Sequence, residues 1–202
     1  FSKGAMQVGA IEKEPFEQVA FKGHRSKLEK ILRRVGVPFN GQTIEQTLTA
    51  HGHGIGYASL IRCSIAHEKN GRLVSTGTIM TDAIADPWAR GVMSECVKQH
   101  LLPMPESVRR VVMLSNDSRY ITGVRSLARE HYLDFADINP LGFFAGGRRW
   151  VFVIHPAAQG AHVGNWLSEP ANEGLGIKRE QAIAAFGILE ARPASSWSVG
   201  KK

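Results

Sequence analysis

Residues 150–167 read WVFVIHPAAQGAHVGNWL, and the fold turns on how this stretch is understood. From Trp150 to Ile154 the chain is apolar without alternation, the pattern of a strand covered on both faces. Pro156 cannot continue a hydrogen-bonded ladder, so the strand ends at His155. Ala157, Ala158 and Gly160 follow, too small to build a core but able to let backbone amides approach a ligand. In open α/β sheets ligands bind beyond the carboxyl ends of strands. His155 therefore stands where a ligand is expected, although a strand-end histidine bonded to backbone has the same local sequence.

Outward from this stretch the chain alternates helices and strands. HRSKLEKILRRV (24–35) places Leu28, Ile31, Leu32 and Val35 at helical spacing and Gly36 stops the helix. Thr43 with Gln46 three residues later forms a capping-box pattern for a short second helix. IGYASLIRCSIA (55–66) reads as a buried strand. Asn70-Gly71 signals a hairpin within a hairpin-like insertion over 67–86. Pro87 opens a helix reaching about residue 102. RRVVMLSND (109–117) is a short strand whose Asp117 or Ser118 caps the next helix. The arginine pairs 109–110 and 148–149 mark strand starts. IKREQAIAAFGILEA (177–191) reads as a surface helix and 192–202 as a mobile tail. The expected architecture is one α/β domain over 1–191: three layers, α/β/α, around a short, mainly parallel sheet.

With 202 residues, 43% of them hydrophobic, the chain can bury a sizeable core. Its longest apolar run, near Val111–Leu114, falls far short of the roughly 20 residues of a membrane span. Cys63 and Cys96 are too few for a disulfide framework or a four-thiolate site, so a reducing cytoplasm is expected. The net charge of +7 favours an anionic partner, and Lys22, Arg25, Lys27, Lys30, Arg33 and Arg34 crowd one segment. His51 and His53, separated by one glycine and without a neighbouring carboxylate or thiol, make a weak metal site; loop polarity explains them better.

The order of these motifs resembles the uracil-DNA glycosylase superfamily, above all its iron-sulfur branch. In VGAIEKEPFEQVAFKGHRSKLEKIL, Gly9 takes the leading glycine of the family's first loop, Phe21 the aromatic that stacks on the extruded base, and 24–35 the following helix. YASLIRC puts Ser59 at the position of the family's base-reading Asn, with Arg62-Cys63 at a Lys-Cys pair. VIHPAA matches the His-Pro-Ala-Ala that closes the last strand. The resemblance covers about residues 6–168 and is closest in this last motif.

That resemblance implies hydrolytic removal of a deaminated or damaged base from DNA by a monomer, without a cofactor or metal. His155 would stabilise the departing base. Ala10 and Ile11 stand where the family positions water, and Glu12 is the nearest carboxylate able to do so. Gly9, Ala10, Ile11, Phe21 and Ser59 would line the base site. Pro156, Ala157, Ala158, Gln159, Gly160, His162, Lys22 and Arg25 would meet DNA, with Gln159, His162 and Val163 available as a wedge. The departures are specific: Ser59 lacks the two-pronged amide of Asn, and two cysteines cannot hold a cluster that needs four thiolates. A non-catalytic nucleic-acid-binding domain of the same fold would show such losses. An α/β enzyme acting on a phosphorylated small molecule is a third possibility.

Overall fold

A computed structural model describes residues 20–49, 54–60, 66–74, 79–171 and 174–187. The first helix, α1 (Arg25–Arg34), buries Leu28, Ile31 and Leu32 and turns its basic residues outward, as its spacing predicts. Helix α2 (Ile44–Thr47) carries the full capping box: the Thr43 hydroxyl accepts from the Gln46 amide while the Gln46 side chain accepts from the Thr43 amide. Strands β1 (His67–Lys69) and β2 (Arg72–Val74) pair across Asn70-Gly71, both at positive φ, in a separate two-stranded sheet.

Helix α3 (Ile79–Ala85) leads into α4 (Pro87–His100), where Pro87 sits at the start and the Asp86 carboxylate caps the Ala89 amide. Strand β3 (Arg110–Leu114) is followed by α5 (Ser118–His131), capped by Asp117. Strands β4 (Ala136–Asn139), β5 (Gly142–Ala145) and β6 (Arg148–Val153) come next, then α6 (His162–Leu167) and α7 (Gly174–Phe186). Among the described residues there are thus seven helices.

Among the described residues the main sheet has four strands in the order β3-β6-β5-β4. Only β3 and β6 run parallel; β6-β5 and β5-β4 are antiparallel. The expectation of a mainly parallel sheet is therefore corrected. An antiparallel pair needs only a tight turn, and Gly146-Gly147, both at positive φ, supply it between β5 and β6. The Asp134 carboxylate accepts from both glycine amides at 2.7 and 2.8 Å, which draws its pKa down. Residues 54–60 carry no strand and Ser59 is exposed, so this part of the expected strand over 55–66 is also corrected.

Helices lie against both faces of the sheet. On one face the rings of Phe143 and Trp150 stack 5.5 Å apart across the β5-β6 pair, and α5 contributes Tyr120 edge-on to Phe152. Burial pushes the Tyr120 hydroxyl up to about 12. On the other face α7 comes so close that a Cβ added at Gly142 would lie 2.3 Å from the Ala185 Cβ. This is why α7 is not the expected surface helix: Ala182 and Ala185 are small enough to bury against the sheet, and Gly176 packs against Ala171. Residues 150–154 are accordingly almost inaccessible, as an apolar run covered on both sides must be.

Candidate functional site

The β3-β6 pair delivers both of its carboxyl ends to one edge of the molecule. Beyond β6, the His155 carbonyl accepts from the Ala158 amide, closing a turn. The Ala157 amide donates to His155 Nδ1 at 3.1 Å. Because Nδ1 accepts, the neutral imidazole carries its proton on Nε2. Part of the ring is exposed, yet burial first, and then neighbouring His24, hold its pKa below the ordinary histidine value. At neutral pH His155 is thus a neutral ring offering a donor at Nε2.

Pro156 is buried, while Ala157, Gln159 and Gly160 are exposed and Ala158 half-buried. Gly160 adopts φ 60 before α6, and His162 begins that helix with an exposed side chain. Val163, considered above as a wedge, is instead buried in the core, a correction that follows from its inward position on α6.

Phe21 adopts φ 53, uncommon for a bulky residue, in the turn before α1. Its half-buried ring meets Tyr57 at 6.0 Å and packs beside Leu28, Leu32, Phe39, Ile44 and Leu48. Lys22 is exposed, and Arg25 Nε donates to the Ala20 carbonyl at 3.0 Å. Gly9, Ala10, Ile11 and Glu12 lie outside the described residues, as do His51, His53, Cys63 and the expected tail. Among the described residues no cluster of three or more metal-ligating side chains occurs.

His24 is the site residue that the sequence reading missed. It influences His155, but nothing in its sequence position marks it except a segment of basic residues lacking carboxylates. At the end of β3, Lys178 Nζ from α7 donates to the Asn116 carbonyl at 3.2 Å, so Asn116 acts through backbone in tying helix to strand.

Two open grooves of about 440 Å³ lie elsewhere. One separates α3 from α5 and is lined by Asp82, Arg90, Arg119 and Thr122 among others; the other is lined by Lys30, Arg33, Arg34 and Leu167. Neither includes His155, Phe21 or Ser59. No family model, no curated protein and no solved structure matches this chain. Among the described residues no helix is long and apolar enough to cross a membrane.

Proposed function

We propose that this chain acts on DNA as a base-excising hydrolase of the uracil-DNA glycosylase type, a monomer of the cytoplasm working without a cofactor. The observation that carries this reading is the hydrogen bond from the Ala157 amide to His155 Nδ1 at the carboxyl end of a buried strand, which leaves Nε2 as the donor of the neutral ring. As the bond between base and sugar lengthens, negative charge gathers on the base. A neutral imidazole donating from Nε2 stabilises that charge without first having to lose a proton. The small residues Ala157, Ala158 and Gly160 let backbone approach a DNA phosphate. Glu12 would orient the attacking water, and Phe21 and Ser59 would border the base. Only the β3-β6 half of the sheet follows the expected parallel pattern, so the resemblance rests on that half.

The test is alkali-dependent scission of oligonucleotides containing uracil, hypoxanthine or mismatches. Scission by the native chain and a loss of about 10²–10³-fold in His155→Ala is the expected result. The exposed hydroxyl of Ser59, where the family reads the base with an Asn, favours a second reading, a domain that binds nucleic acid without cutting it. Binding without any abasic product would decide for that reading.

A further inference from the structure

The second open groove, of about 440 Å³, is lined by Lys30, Arg33, Arg34 and Leu167. All of these but Leu167 are cations. The groove lies where α1 packs on α6, the helix that begins directly after the His155 loop. Leu167 closes α6 about 8 Å along the axis from His162 at its start, so one short helix joins the groove to the end of β6.

The cations are held unequally. Arg33 lies over the Phe39 ring at 4.3 Å and donates to Glu29 at 2.8 Å and to the Gln42 carbonyl at 2.9 Å, which fixes its plane and leaves part of its donor set unused. Arg34 shares Glu169 with fully buried Arg179, which also meets Glu180. Lys30 is exposed, and among the described residues no carboxylate pairs with it. Lys27, exposed one turn earlier, extends the row: residues 27, 30 and 34 share a face of α1 distinct from the one that buries Leu28, Ile31 and Leu32, and they spread their charge over about 10 Å.

A row of cations beside an aliphatic floor suits a linear polyanion. An acidic amphipathic peptide would need apolar recesses for its anchors, and among the described residues Leu167 is the apolar one that lines the groove. The last turn of α1 opposes any anion with roughly half a negative charge; the lysine and two arginines outweigh it. We propose that the groove holds the phosphate backbone of a single nucleic-acid strand that runs from the His155 loop along α6, with Lys30, Arg33 and Arg34 on its phosphates. The inference deepens the reading above by giving the strand a track outside the base site. It rests on that reading for the strand's course and not for the bond cleaved.

Fluorescence anisotropy of a labelled oligothymidylate, bound to the full chain over a series of salt concentrations, tests it. The affinity of the native chain should fall steeply with salt. Lys30→Gln, a change at an exposed position that leaves the core untouched, should bind more weakly and flatten the logarithmic salt slope by about 0.7, the value for one lost phosphate contact to a single strand. Lys30→Glu should weaken binding further, whereas Lys98→Glu, the same change in charge on exposed α4 surface outside the groove, should bind nearly as the native chain does. An equal loss in Lys98→Glu would assign binding to overall charge and overturn the groove, as would an unchanged slope in Lys30→Gln. Polyglutamate of matched length competing as well as the oligonucleotide would overturn it in favour of an acidic polypeptide. Failure to release a base while Lys30-dependent binding persists would remove the glycosylase reading and leave the groove intact; base release with a salt slope indifferent to Lys30 would do the reverse.

Discussion

The half of the sheet formed by β4, β5 and β6, with α5 on one face and α7 on the other, differs sharply from the edge where β3 and β6 end. On the first side, Phe135 and Phe143 stack at 5.2 Å and Phe143 and Trp150 at 5.5 Å. Trp150 Nε1 donates to the Ala145 carbonyl at 3.0 Å. Fully buried Arg179 donates to the Trp166 carbonyl and meets Glu180 and Glu169 at 2.8 and 3.2 Å. The partnering there is incomplete, since Arg125 Nε, Tyr132 Oη, Arg148 Nε and Trp166 Nε1 are buried without a hydrogen-bond partner. At the strand ends, small residues, two neighbouring imidazoles and an unmatched His24 nitrogen take the place of packing. The difference teaches that stability and ligand chemistry are assigned to separate parts of one sheet: dense aromatic packing holds β6 rigid so that the residue just past its end is held in one tautomer.

The largest expected effect is on the packed side. Phe143→Ala should lower the unfolding free energy by about 3–5 kcal/mol, measured by denaturant titration, because it opens a void in the aromatic stack. Arg179→Met should cost about 2–3 kcal/mol by the same measurement, since buried carbonyls lose their donor while the packing volume is roughly kept. A smaller loss than that would mean that the carbonyls find other donors. His155→Ala should change stability by no more than about 0.5 kcal/mol while removing activity, as an exposed position outside the core predicts. A loss comparable with Phe143→Ala would merge the two regions and end the comparison.

The smallest effect is that of pH. The folded His155 binds its proton less readily than the unfolded chain, so stability should be highest above the ordinary histidine value of 6.5 and decline as pH falls through it toward the lower folded value. Protonation at Nδ1 also breaks the bond from the Ala157 amide. Asp134 acts with the same sign in a more acidic window: its contribution is present above 3.8 and lost only as pH falls toward its lower folded value. Thermal midpoints of wild type and His155→Gln between pH 8 and 5 should converge with acidification, and parallel curves would assign the pH response elsewhere.

Much of this was legible in the sequence wherever a local rule acts alone. The β6 run, Pro87 at a helix start, the Thr43–Gln46 box and the Asp117 cap depend on neighbours in the chain, and each stands where it was expected. No element is expected over 132–147, yet β4 and β5 lie there, and Gly146-Gly147 between aromatic runs is the hairpin signal for them. The burial of α7 was illegible for another reason. A charged residue at 179 argues for solvent until carbonyls from α6 and the following turn are seen to surround it. The electrostatic influence of His24 on His155 joins residues far apart in the chain, and periodicity carries no information about it.

Arg110 donates to the carbonyls of Phe186 and Gly187 at 3.1 and 2.7 Å, and Arg149 to that of Ala185 at 3.1 Å. Arg110, which opens β3, and Arg149, the second residue of β6, thus hold the final turn of α7, where cations also suit the helix dipole. The last helix and the central strand consequently open as one cooperative unit, and the amides of Ala182–Phe186 should exchange with deuterium as slowly as those of Val151–Val153.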